Sequence, residues 1–261
     1  MEPVTRPRTI FITGAGAGIG AATARVFASR GWLVGGSALH EEHLAAVQAD
    51  LGTRFVPYVA DVRERATMRD VVAEFAGRHG RGRLDAVFAN AGVLFMGPDE
   101  SLTAAQKQAL IDVNVSGVVH TFDAALPHLR RAAPGAHAIA MASTSAEYGS
   151  PHHALYGATK FFVRGYTEAL AIEHRRTGVQ VSAIYVSYVN TAMVAEANFR
   201  PRSIDALGIK ATPQQVAQVV WRAAHGRRVH WRVGSDAKLT HYAVRLLGAW
   251  VAPVYARLTG A

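Results

Sequence analysis

Short apolar runs alternate with stretches of helical period along almost the whole chain. The runs lie at 8–13, 32–37, 54–60, 84–89, 136–142, 179–185 and 228–233. The first six are continuous rather than strictly alternating, as in strands buried on both faces, and that points to a parallel sheet covered by helices on each side. The segments between them, 18–30, 41–51, 64–79, 104–131, 155–177 and 212–225, carry apolar residues at helical spacing. Strand–helix alternation of this kind predicts an α/β fold, a Rossmann-type doubly wound parallel sheet of about seven strands. No repeat, low-complexity segment or Pro/Ser linker interrupts it, so the expectation is one domain over 1–261. Residues 187–211 break the rhythm beyond a strand's C-terminal edge, where ligands bind in such sheets, and predict a substrate lid. A C-terminal helical tail follows at about 236–261.

Composition narrows the function. The chain has 261 residues, half of them apolar, and a formal charge of +9. That length supports a core without staples. The absence of cysteine excludes disulfides, thiolate metal sites and Cys nucleophiles, and fits a reducing, cytoplasmic setting. The N-terminus has no apolar signal core, and no stretch of 18 uncharged apolar residues exists. The basic residues are mostly Arg and are scattered, with no run longer than a pair, so a nucleic-acid partner is not expected. No HExxH occurs. The adjacent His152-His153 sits just before Tyr156, and the expectation is a place at the substrate mouth or in solvent, with no metal.

Two constellations carry chemistry. Thr13-Gly14-Ala15-Gly16-Ala17-Gly18-Ile19-Gly20 follows the first strand and opens the first helix. Gly14 and Gly18 permit a tight turn and close backbone approach to a pyrophosphate, and Gly20 permits close helix–strand packing. The helix N-terminus supplies free N–H groups and partial positive charge. Further on, Tyr156 and Lys160 are one helical turn apart on one face. A cation there favours phenolate; lowering a tyrosine by about three units takes about 4 kcal/mol. Lys160 and an oxidised nicotinamide are two sources of that charge. Ser143 ends the preceding strand, on the ligand side of the sheet.

Together these motifs resemble the classical short-chain dehydrogenase/reductase family, from about Arg8 to about Gly234. The glycine pattern is that subgroup's. Asn90-Ala91-Gly92 matches its NAG motif, Asn114 its helix asparagine, and Ser143, Tyr156 and Lys160 its remaining catalytic residues at the family spacing. Asp61, followed by Val62, matches the residue that contacts adenine. Val189 and Thr191 match the segment that holds the nicotinamide carboxamide. The resemblance implies hydride transfer between a nicotinamide and an alcohol/carbonyl pair. In that scheme Tyr156 is the acid/base, Ser143 binds the substrate oxygen, Lys160 lowers the Tyr156 pKa and holds the ribose, and Asn114 anchors a relay water. It also implies a homodimer or homotetramer, pairing helices at 104–131 and 155–177 through residues such as Phe161, Phe162, Tyr166 and Leu170.

The chain departs from the pattern in places. Val186-Ser187 stands where the family has Pro-Gly, and the tail is longer than the family core requires. After the second strand, Ser37-Ala38-Leu39-His40 carries neither the acidic residue of NAD users at Ala38 nor a basic residue at Leu39 or Ala17. The expectation is use of both NADP and NAD with a modest lean to NADP, favoured by Ser37, His40 and Arg63. Pocket candidates are Leu94, Ser145, His153, Tyr188 and Met193, with Phe199 and Ile204 of the lid, an apolar set that favours a hydrophobic secondary alcohol or ketone. A catalytically silent nucleotide-binding regulator or scaffold is the alternative. Sugar-nucleotide epimerases and enoyl reductases are disfavoured by glycine spacing, length and Tyr–Lys spacing. In the tail, Leu239, Tyr242, Leu246, Leu247, Trp250, Val254 and Leu258 recur at helical spacing. The expectation is packing on the protein or at a subunit contact, with contact to an anionic membrane surface as the alternative.

Overall fold

In the computed structural model, residues 6–195, 197, 199, 201, 204, 208–250 and 253 are described. Along the first strand, β1 (Thr9–Thr13), side chains alternate between two cores: Ile10 and Ile12 join one buried cluster and Phe11 the other. Both faces of the sheet are therefore covered, as the continuous apolar runs predicted. The other strands are β2 (Leu33–Ala38), β3 (Phe55–Val59), β4 (Ala86–Ala89), β5 (Ala136–Met141), β6 (Val179–Tyr185) and β7 (His230–Arg232). All neighbours pair in parallel, in the order β3-β2-β1-β4-β5-β6-β7. The order reverses between β1 and β4, which opens a crevice at their C-terminal ends.

The helices are α1 (Gly18–Ser29), α2 (Glu41–Leu51), α3 (Arg65–Gly80), α4 (Ala104–Ile111), α5 (Gly117–Ala132), α6 (Ala154–Glu173), α7 (Ala192–Ala195), α8 (Pro213–Ala223) and α9 (Gly234–Leu247). Helices α1 and α8 pack together over the Ile10 face, where Phe27, Trp32, Val216 and Val220 are buried. Helices α3 and α5 do so over the Phe11 face, with Phe75, Phe122 and Leu129. Helix α8 is set by its own sequence: Thr212 and Gln215 form a capping box, and Pro213 occupies the first turn.

Three expectations need adjustment. The helical stretch 104–131 is not continuous: a π-helical turn, Asp112–Ser116, separates α4 from α5. The lid region 187–211 is closed at its base by a parallel bridge between Val189 and Ala211, and its residues 196, 198, 200, 202, 203 and 205–207 lie outside the described residues. The tail begins as helix at Gly234, and its residues 251, 252 and 254–261, including Val254, Arg257 and Leu258, lie outside the described set. No helix among the described residues is long and apolar enough to cross a membrane.

His137, near the start of β5, is buried with Nδ1 unpaired, and burial, aided by Arg8 and His225, pushes it down to about 4. The unfolded chain takes up that proton near pH 6.5, so between pH 6.5 and 4 it binds more protons than the fold. Stability from neutral His137 is complete above pH 6.5 and is lost as pH falls towards 4. Replacing His137 with Leu should flatten the acid decline over that window by up to about 1.4 kcal/mol per pH unit. Denaturant titrations from pH 7 to 4 check this, and an unchanged slope would refute it.

Candidate active site

The crevice is floored by the glycine loop. Gly14 and Gly18 have φ of +65° and +51°, which only glycine adopts freely. A Cβ on Gly16 would meet the backbone of His43 at 2.5 Å, so this position seats α2 against the loop. A Cβ on Gly20 would collide with the Gly14 carbonyl, so α1 leaves the loop tightly folded. Ala17 caps α1 without a side-chain acceptor, leaving its first N–H groups for an anion. Thr13 Oγ1 accepts from the N–H groups of Asn90 and Ala91 (both 3.1 Å), and Asn90 Nδ2 donates to the carbonyls of Thr13 (3.0 Å) and Gly14 (3.2 Å). The NAG segment thus locks the end of β4 to the loop after β1.

The π-turn buries Asn114 completely and aims its amide at Val93. Oδ1 accepts from Val93 N–H and Nδ2 donates to Val93 carbonyl, both at 2.9 Å. A Cβ on Gly92 would lie 3.1 Å from Asn114 Oδ1 and 3.9 Å from Lys160 Nζ, so these three residues are packed together. Lys160 is itself buried, and Nζ donates to the Met141 carbonyl (3.0 Å). Burial pushes its ammonium down to about 8.

Tyr156 hydrogen-bonds Ser143, and Lys160 Nζ lies 5.6 Å from its ring centroid. Burial pushes the phenol up to about 12, and the Ser143 bond opposes this only in part. In the protein alone, burial outweighs any lowering by Lys160. Ser143 also accepts from Ser145 N–H (3.1 Å) and donates to Ser145 Oγ (3.2 Å), in a short turn at Thr144–Ala146.

A cavity of about 480 Å³ joins these groups. Its wall includes Gly14, Ala17, Gly18 and Ile19, the Asn90-Ala91-Gly92 segment, Ser143, Ser145, His153, Tyr156 and Lys160, and then Tyr188, Val189, Thr191 and Met193. Gly18 faces Thr191, whose Cγ2 is 3.2 Å from where a Cβ would stand. Leu94 is on the wall; Phe199 and Ile204 are not. His153 is buried, contacts the Pro151 carbonyl through Nδ1 (3.0 Å) and Tyr188 Oη through Nε2 (3.3 Å), and desolvation holds it below its ordinary value. His152 is off the wall, its ring near Phe199.

The adenosine half lies outside that cavity. Ala38 and Val62 are buried, and Ser37 is buried with Oγ unpaired. Asp61 is held by Arg63: Nη2 is 2.6 Å from Oδ2, and the side-chain hydrogen bond keeps the carboxyl below its usual range. Arg63 thus pairs with Asp61 through Nε and Nη2. The buried, unpaired Ser37 hydroxyl beside the loop and the uncapped α1 terminus fit a dinucleotide laid across the sheet edge.

The sequence missed one wall. Leu239, Thr240, Ala243, Val244 and Leu247 of α9 also line the cavity, with Leu239 and Leu247 exposed to solvent as well. It also missed Glu147, whose carboxylate is 3% exposed and meets Arg164 Nη1 (2.8 Å), Arg232 Nη2 (2.8 Å) and His241 Nδ1 (2.9 Å). Amphipathic spacing in the tail was the available signal for the first; nothing local marks Glu147.

Comparison with known proteins agrees with this geometry. The chain is 31% identical over 194 residues to a 3-ketodihydrosphingosine reductase of Bacteroides thetaiotaomicron, covering 74% of this chain and 68% of that one. A 3-ketoacyl-(acyl-carrier-protein) reductase from Brucella melitensis, crystallised with NADH, superposes with a TM-score of 0.79 at 25% identity over 89% of this chain and 99% of its own. A serine dehydrogenase complexed with NADP+ superposes with a TM-score of 0.77 at 26% identity, over 86% and 94%. Residues 8–201 match the short chain dehydrogenase family, and with the glycine loop, the parallel sheet and the Ser143–Tyr156–Lys160 grouping in place, the chain belongs to that family of oxidoreductases.

Proposed function

We propose that this protein is an NADP- or NAD-dependent alcohol dehydrogenase/ketoreductase acting on a secondary alcohol or ketone with an apolar body. The observation that carries the reading is the convergence of Ser143, Tyr156 and Lys160 on one cavity whose remaining wall is largely aliphatic and aromatic. The nicotinamide, when bound, supplies or accepts the hydride. Ser143 hydrogen-bonds the substrate oxygen, where charge develops. Tyr156, protonated far above neutral pH, donates its proton to that oxygen in reduction. In the oxidative direction its phenol must be lowered by several units at about 1.4 kcal/mol each, which calls for cationic charge beyond Lys160 alone. Lys160, Tyr156 and Thr191 are the groups that hold the nicotinamide end. Gly14 to Ile19 hold the pyrophosphate, and Ser37, Ala38, Asp61 and Val62 line the adenosine side. Ser145, His153, Tyr188 and Met193 face the substrate.

A cytoplasmic setting is part of the proposal, supported by the cysteine-free composition. So is a homodimer or homotetramer. Phe161, Phe162 and Ile172 are exposed along α6, which supports an isologous contact there. Leu170, expected at that contact, is instead buried in the protomer's own core, and Tyr166 stacks between Phe122 and Phe162. Light scattering at micromolar concentration should give twice or four times the protomer mass; a monomer refutes the pairing.

Replacing Tyr156 with Phe should lower turnover by about 10²–10⁴ and leave cofactor binding intact. The assay follows the reduced-nicotinamide absorbance across cyclic, aromatic and steroid-like ketones. A variant keeping more than about a tenth of the activity contradicts the acid/base role. Cofactor binding without turnover of any panel member would return the silent-regulator alternative.

Preference between the cofactors is argued from β2. No carboxylate stands at Ala38 to repel a 2′-phosphate, and His40 is exposed nearby. Glu41 and Glu42 open α2 and oppose a phosphate. The balance is dual use with a lean to NADP of about 1 kcal/mol or less. Ala38→Asp should swing kcat/KM towards NAD by about tenfold or more. A native preference for NAD above about a hundredfold would defeat the argument.

A further inference from the structure

Helix α9 is poorly anchored by hydrophobic burial. Of its residues only Ala237 is buried, while Leu239, Tyr242, Leu246 and Leu247 are exposed. Apart from the turn that follows it in the chain, the element it packs against most is the Thr144–Ala146 turn beside Ser143. What joins them is charge. Glu147 directly follows that turn, and its buried carboxylate meets His241 on α9, Arg232 on β7 and Arg164 on α6. His241 Nδ1 also lies 2.8 Å from Arg232 Nη2, and Arg164 Nη1 donates to the Ala146 carbonyl (3.3 Å). Arg164 reaches on to Glu168, which is paired with His230. One carboxylate therefore ties the turn that follows Ser143 to a helix that lines the cavity.

We propose that Glu147 is a positioning residue that latches α9 over the substrate cavity, which makes the α9 wall a determinant of substrate size and polarity. Burial tends to raise the Glu147 carboxyl, but hydrogen bonds from His241 and Arg232 outweigh it and hold the group below its ordinary value. The anion is the form that bonds these partners, and a neutral amide leaves the part-buried Arg232 without its counter-charge, while Arg164 keeps Glu168. With so little of α9 buried, loss of the latch frees the helix before it disturbs the sheet. The cavity-lining Ala243 and Val244, and the solvent-exposed Leu239 and Leu247 beside them, then cease to bury an apolar substrate body, while Ser143, Tyr156 and Lys160 keep their places just past β5 and on α6. An apolar substrate, in turn, supplies the contact that α9 lacks. In this last aspect the inference rests on the ketone reading of the cavity.

The test compares full-length wild type, Glu147→Gln and His241→Ala; the second variant leaves Glu147 with Arg164 and Arg232. Amide hydrogen exchange over 234–247 should accelerate about tenfold or more in both variants, with 154–173 still protected. Unchanged exchange over 234–247 in His241→Ala overturns the latch, even if Glu147→Gln fails to fold. Butan-2-one and decan-2-one then serve as small and long apolar probes. KM for decan-2-one should rise about tenfold with kcat little changed, and the butan-2-one constants should move less than about threefold. Equal losses on both ketones would assign Glu147 to the catalytic turn alone and overturn the specificity role. If the wild type reduces neither ketone, the ketone assignment fails, and the exchange result still decides the latch.

Discussion

The site is organised by a buried ammonium group. Lys160 is 5% exposed, and burying a cation is costly unless its charge is met by oriented oxygen. The Met141 carbonyl at the end of β5 provides it, so the register of β5 fixes where Nζ stands. The neighbourhood follows from that position. Gly92 is bare because a side chain there would approach both Nζ and Asn114. Asn114 in turn needs the π-turn to face Val93, and Asn90 ties the same segment back to the glycine loop. The NAG bend, the helix bulge and the lysine are one packing solution. The shift of Lys160 to about 8 leaves it largely protonated at neutral pH, a cation held ready rather than discharged.

That arrangement explains the state of Tyr156. A phenol beside a cation is expected to be acidic, yet here desolvation prevails. Lys160 Nζ lies 5.6 Å from the ring centroid and donates to the Met141 carbonyl. The protein alone therefore holds Tyr156 as a neutral phenol on the cavity wall, and cationic charge would have to be added to make it a base.

Most of the sheet was legible because strands buried on both faces leave an unambiguous run, such as Thr9–Thr13 or Ala136–Met141, and glycines with positive φ mark the loop between sheet and helix. The π-turn was not legible. Asp112 to Ser116 continues the helical period, and only the tertiary demand on Asn114 distinguishes one extra residue per turn. Leu170 was misassigned to an interface because helical spacing gives a face but not which neighbour covers it. Glu147 was invisible for a different reason. Its partners are 17, 85 and 94 residues away, and an isolated acid after a strand reads as a solvated loop.

The family match ends at residue 201, and the wall formed by Leu239, Thr240, Ala243, Val244 and Leu247 lies beyond it. Likeness to relatives therefore bears on the half of the cavity that holds the glycine loop, Ser143, Tyr156 and Lys160. It bears little on the half that meets the rest of the substrate. Chemistry at one substrate oxygen tolerates little change of geometry, because every group that acts on that oxygen must stay aligned with it. An apolar wall only has to exclude water and match a volume, which many sequences satisfy. The α9 wall has no such alignment to keep, so only volume and polarity constrain its residues.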